Sequence, residues 1–231
     1  MTVPIRDAAT VVLLRDGADD VEAWLLTRVA QMAFAAGMTV FPGGRVEDAD
    51  AELPWAGPPP VGAAFAGAAV RETFEETGVL LGGGSVDLSA ARADVEAGRI
   101  GFGDLLRAHR VTVDASGLHP WARWITPEGE PRRYDTRFFV AELPDGAKPA
   151  DVTSEAARAG WIRVAQALAE AERGERLLMP PTLTTLRSIA GHPTVADVVA
   201  AAPGRSLDPV RPVLDGDRVR LPDGSIMRLP R

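Results

Sequence analysis

The stretch Arg71-Glu72-Thr73-Phe74-Glu75-Glu76-Thr77-Gly78-Val79 decides how this chain is read. On a helix, Glu72 lies one turn from Glu75 (i+3) and Glu76 (i+4), so three carboxylates share one face. Like charges at that spacing repel, and a hard divalent cation that prefers oxygen ligands relieves the repulsion. A solvated acidic face is the plainer reading of the same residues. Arg71 stands four residues before Glu75 and can hold one carboxylate in orientation. Gly78 is a natural helix stop, so the pattern predicts a helix over 63–77 with Phe65, Ala68, Val70 and Phe74 on its apolar side.

On the N-terminal side, Phe41-Pro-Gly-Gly44 ends a short strand predicted over 38–41, and glycine there lets backbone approach a ligand closely. Between it and the helix, residues 48–62 hold four prolines, which predicts an irregular loop. Ala8–Leu14 and Val21–Arg28 read as two strands joined by a Gly/Asp turn, and 31–37 as a loop or short helix.

On the C-terminal side, short helices are predicted over 89–97 and 102–109, and strands over 121–126, 134–143 and 161–164. Further helices are predicted over 166–173, 182–189 and 194–201. Two Asp-Gly pairs after residue 210 signal hairpins. Strands mix with helices without regular alternation, so the class is α+β (mixed α/β) rather than a doubly wound sheet.

Gly44, the acid Asp50, and Arg71-Glu72-x-x-Glu75-Glu76-x-Gly78-Val79 together resemble the Nudix box, G-x5-E-x7-R-E-U-x-E-E-x-G-U with U aliphatic. Three departures stand out. Asp50 replaces Glu, Thr73 replaces an aliphatic residue, and residues 51–70 fill a gap that usually spans seven, an insertion of thirteen. Such an insertion looks like the branch of the Nudix hydrolase superfamily that holds the peroxisomal coenzyme A diphosphatase. Leu25-Leu-Thr-Arg28 and Gly37-x3-Phe41-Pro-Gly-Gly44 partly match a coenzyme A motif of that branch, with Ala33 where the motif has Arg.

The resemblance implies a mixed sheet in an α/β/α sandwich with the box helix on one face. It implies hydrolysis of a diphosphate bond in a nucleoside diphosphate linked to another moiety, with Mg²⁺ as cofactor and Mn²⁺ as a substitute. Carried over residue by residue, Glu75, Glu76 and the Gly43 carbonyl become metal ligands, and Glu72 a ligand or the base for the attacking water. Arg71 becomes the group that orients a carboxylate. A further glutamate before a Trp-containing strand points to Glu155, with Asp151 its rival. Coenzyme A or an acyl derivative stands first as substrate, with nucleotide sugars, NADH, ADP-ribose and dinucleoside polyphosphates as alternatives. A non-catalytic ligand sensor on the same fold is the reading from another class.

Arg28 and the segment Arg132-Arg133-Tyr134 are the candidate substrate contacts, because arginine binds phosphate in a bidentate way and an aromatic ring stacks on a base. Pairing of these arginines with Glu128, Glu130 and Asp135 is the plainer alternative. The deletion of the insert is expected to change substrate choice more than stability, and Trp55 within it is a candidate lid.

Composition narrows the class. Among the 231 residues, 46% are hydrophobic and 25% charged, which suits a folded globular chain. A net charge of −7 argues against a general nucleic-acid binder or a polybasic membrane-surface protein. The absence of cysteine excludes thiol catalysis and cysteine-ligated zinc. The N-terminus lacks an apolar signal stretch, so a cytoplasmic location is expected. Lys148 is the lone lysine beside many arginines, a codon signature of a GC-rich bacterial genome. The expected organisation is a catalytic domain over 1–190 and a C-terminal helix and hairpin extension over 191–231. A small-molecule substrate is the expected partner, and a homodimer is left open.

Overall fold

The computed structural model describes residues 3–28, 37–150 and 156–229. The segment 31–36, Asp151 and Glu155 therefore lie outside the described residues.

The run Ala8–Leu14 is apolar on both sides because its strand is central. Strand β1 (Ile5–Asp16) forms the expected antiparallel hairpin with β2 (Val21–Arg28), Leu14 facing Ala23. Beyond β2 lies β3 (Thr39–Val40), and β4 (Gly43–Arg45) pairs with the start of β1. On its other side β1 runs parallel to β6 (Arg133–Glu142), itself antiparallel to β5 (His119–Ile125). Strand β7 (Ala156–Arg163) pairs with β2.

Alternate side chains of β1 enter two cores. Val11 and Leu13 meet Trp24, Phe74, Leu106 and Phe139, under α1 (Ala63–Thr77), α2 (Arg92–Glu96) and α3 (Phe102–Ala108). Val12 and Leu14 meet Trp121, Val140, Leu186 and Val198, under α4 (Val164–Glu172), α5 (Pro180–Ile189) and α6 (Val195–Ala201). A mixed sheet between two helical layers is the α/β/α sandwich that the resemblance implied.

Helix α1 has the predicted bounds. Gly78 closes it at φ 75°, its N–H donating to the Phe74 carbonyl at 2.7 Å. Thr73 and Thr77 are fully buried, and each hydroxyl donates to the carbonyl four residues back, Ala69 and Thr73. The hydroxyl is thereby satisfied within the helix, which is how threonine stands where the box has an aliphatic residue. Other boundaries moved: β1 and β7 start earlier than expected, at Ile5 and Ala156. Val164 opens α4 rather than ending a strand, and α5 starts two residues early, at Pro180. Proline suits that first turn because its missing N–H would have had no helical partner.

The C-terminal segment folds as a three-stranded antiparallel sheet, β8 (Val213–Asp215), β9 (Arg218–Arg220) and β10 (Ile226–Arg228). Val219 and Leu221 are buried in the second core.

The box insertion departs from the expectation of a free loop. Its first residues continue the 3₁₀ turn Asp48–Glu52, its last eight form the start of α1, and the part between is anchored. Leu53 is buried in the first core. The Val113 N–H donates to the Pro54 carbonyl at 2.7 Å, and the Ala56 N–H donates to the Val113 carbonyl at 2.9 Å. Trp55 packs partly buried against this core and does not reach the cavity described below, so the lid reading is corrected.

Candidate active site

Arg71 organises the acidic helix. Its side chain is 9% exposed, and its main partner is one the spacing on the helix did not reveal. Asp50, 1% exposed, accepts from Arg71 Nε at 2.7 Å and Nη2 at 3.0 Å. Asp50 also accepts from the Glu47 N–H at 2.7 Å, and Arg71 Nη2 donates to the Arg45 carbonyl at 2.8 Å. A planar fork against a carboxylate is the strong form of this pair. The shorter acid thus occupies the place of the box glutamate as a buried anchor. Its backbone lies so close to α1 that a Cβ on Gly67 would collide with the Asp50 carbonyl. Glycine within a helix is costly, and this approach is the reason for it. The insertion leaves Asp50 and bends back to it, so the geometry of the box is restored.

The remaining N–H groups of Arg71 face the glutamates. Nη1 donates to Glu72 at 2.9 Å and, at 3.3 Å, to Glu75. Glu76 accepts from the Gly43 N–H at 2.8 Å, and Glu72 lies against Gly44 where a Cβ would strike its carboxylate. Burial pushes the Glu72 carboxyl up to about 7, with Arg71 pulling it partly back and Glu75 raising it. Burial also raises Glu75, opposed by Arg71. For Arg71, burial works against the charge, yet the Asp50 hydrogen bond and the charges of Glu72, Asp50 and Glu75 together hold its pKa above the ordinary value.

These glutamates line a cavity of about 770 Å³ together with Gly43, Arg28, Arg132 and Tyr134. The structure therefore brings together most of the expected site residues. Among the described site residues, Arg133 is the exception. It does not line the cavity, and its Nε donates to the Thr126 carbonyl at 3.2 Å, which ties it to the strand turn. Asp135 is likewise engaged, accepting from Arg123 at 2.9 and 2.6 Å. Glu47, Glu96, Glu130 and Arg45 also line the cavity and were not anticipated. Glu47 carried a faint signal, since an acid three residues before Asp50 forms a capping box. Glu130 was read only as a partner of the neighbouring arginines, and Glu96 arrives from a distant element and carried no signal.

Among the described residues, no three acid or histidine side chains converge closely enough to hold an ion by themselves. The donor chemistry nevertheless fits Mg²⁺, which typically takes one or two carboxylates and completes its shell with substrate phosphates and water. Among the described residues, no helix is long and apolar enough to cross a membrane.

A mixed sheet between helical layers, with this glutamate-bearing helix at the cavity wall, defines a Nudix site. Residues 56–189 match the family described as the NUDT19 Nudix domain, and the chain belongs to that family of Nudix hydrolases. It is 32% identical over 173 residues to putative nudix hydrolase 7 of Caenorhabditis elegans, covering 72% of this chain and 55% of that protein. It is 27% identical over 241 residues to the human acyl-coenzyme A diphosphatase NUDT19, covering 80% of this chain and 64% of the relative. This chain thus spans little more than half to two-thirds of those relatives. Among solved structures, a NUDIX hydrolase from Alicyclobacillus acidocaldarius superposes with a TM-score of 0.79 at 30% identity, over 90% of this chain and all of that one.

Proposed function

We propose that this chain is a Mg²⁺-dependent diphosphatase that hydrolyses coenzyme A and its acyl thioesters. The observation that carries the reading is one cavity that gathers Glu72, Glu75 and Glu76 with Arg28, Arg45 and Arg132 and with a set of apolar residues. The name of the human relative, an acyl-coenzyme A diphosphatase, supports the substrate class.

Glu75, Glu76 and the Gly43 carbonyl are the groups that would hold the cation. When bound, it supplies positive charge against the diphosphate. Arg71 fixes the carboxylates of Glu72 and Glu75 in place. Arg28 and Arg132 attract the anionic substrate, and Tyr134 offers a ring for stacking. Glu72 accepts the proton of the attacking water. The water oxygen bonds to one phosphorus, and the bond from that phosphorus to the bridging oxygen breaks. The products are 3′,5′-ADP and 4′-phosphopantetheine, or its acyl thioester.

A ligand sensor without catalysis has less support. The two departures that would favour it, Asp50 and the insertion, are both absorbed by the Arg71 anchor.

Mass spectrometry of products tests the reading. Protein with Mg²⁺ is incubated with coenzyme A, acetyl-coenzyme A, NADH, ADP-ribose and a nucleotide sugar, with EDTA as control. EDTA-sensitive release of 3′,5′-ADP from the first two is expected. Cleavage of another compound alone removes the coenzyme A assignment, and no cleavage by folded protein removes the diphosphatase assignment.

A further inference from the structure

The cavity has a second wall that the acidic helix does not explain. Besides the glutamates, it is lined by Trp124 and Phe138 from the sheet and by Pro212, Leu214, Val219 and Leu229 from the C-terminal segment. That segment lies beyond the residues matched to the family, which end at 189. It is nonetheless firmly attached. Val210 joins the edge of β5, its N–H donating to the Arg123 carbonyl at 2.8 Å, while its carbonyl accepts from Ile125 at 2.9 Å. The Arg205 guanidinium lies 4.3 Å from the Trp121 ring centroid. The Leu229 N–H donates to the Asp217 carbonyl at 2.8 Å, which ties Leu229 to the small sheet.

The small sheet has two distinct faces. Leu214, Val219 and Met227 are paired across its strands and point inward, and Val213, Arg220 and Ile226 are paired and point outward. Leu214 and Val219 of the inward face, with Leu229 beside them, therefore add apolar side chains to a cavity that also holds the glutamates and arginines. A diphosphate with polar groups alone has no use for such a wall, because burying polar groups against it forfeits their hydrogen bonds. An apolar arm on the substrate gains from it.

We infer that the C-terminal sheet is the specificity wall of the site, with Leu214 and Leu229, backed by the buried Val219, contacting the acyl chain of a thioester and favouring acylated over free coenzyme A. This rests on the diphosphatase reading above for the nature of the substrate.

The test is equilibrium binding in EDTA, where turnover is suppressed, read for free, butanoyl-, hexanoyl- and octanoyl-coenzyme A. Affinity should rise along the series by up to roughly fourfold per methylene, reaching at least about tenfold overall. In the double variant Leu214→Gln/Leu229→Gln, both positions being partly exposed, the rise, taken as the ratio of octanoyl- to free-coenzyme A affinity within that variant, should fall below about twofold. Val213→Gln, on the outer face at 63% exposure, should leave the rise intact. A flat series in the unaltered protein, including no binding of any member, overturns the inference without any variant. So does a rise retained by a folded double variant. Failure of the diphosphatase reading appears elsewhere, as absence of Mg²⁺-dependent cleavage of free coenzyme A.

Discussion

Arg71 and Val219 line one cavity and are held there in different ways. Around Arg71, each group has named polar partners, Asp50, Glu72, Glu75 and the Arg45 carbonyl, within a few residues of the box. Around Val219, the contacts are apolar and come from strands of three residues each, docked on a distant sheet edge. Directional bonds suit a wall that must place charges for a reaction. An apolar surface suits a wall that tolerates substrates of varied length. The proposed reaction thus draws on directional polar contacts, and the proposed selection of the acyl chain on apolar ones.

The contrast breaks first at Arg71. Arg71→Met leaves Asp50 charged and buried, which should cost about 3–5 kcal/mol. That corresponds to a fall of roughly 6–20 °C in the thermal midpoint. A change of only a degree or two would show that the acidic wall is not held by this pair. Glu76→Gln should spare the midpoint but lower kcat about a hundredfold, near ~2.7 kcal/mol of barrier, in a steady-state assay at saturating Mg²⁺. Undiminished turnover would remove Glu76 from the ligands. Leu53→Ala, in the insertion, should cost about 2 kcal/mol by denaturant titration with KM unchanged. A shift in KM instead would return the insertion to a role in substrate choice. Asp135→Asn should have the smallest effect, under ~1 kcal/mol, because the Arg123–Asp135 pair is partly exposed and screened. The hydrogen bond from Arg123 holds the Asp135 carboxyl below its ordinary value. Its contribution is therefore present above pH about 4 and lost as pH falls through the folded-state value, so the two melting curves should converge in acid.

The acidic wall was largely legible because it is local. Helix spacing places Glu72, Glu75 and Glu76 on one face, and Gly78 marks the end of α1. The Asp50–Arg71 pair was harder to see. The insertion stretches the sequence between the partners, and only the close approach at Gly67 restores their contact. Arg133 misled because alternation along a strand depends on register, and one step turns a side chain to the other face. The selection wall was nearly invisible. Hairpin turns at the two Asp-Gly pairs could be read, but nothing in strands of three residues says which sheet edge they join. The parallel pairing of β1 with β6 across more than a hundred residues is hidden for the same reason.

The meeting of Asp50 and Gly67 also separates length from geometry. Where the two ends of an excursion touch, the closure entropy of what lies between rises only slowly with added residues. Ala56, Gly57 and Pro58 form an exposed stretch between the anchored Leu53 and the start of α1. A reporter domain spliced after Gly57 would enter at a permissive junction, with the catalytic frame closed behind it. The same property makes this point of the chain a natural port for acquiring new modules without rebuilding the enzyme.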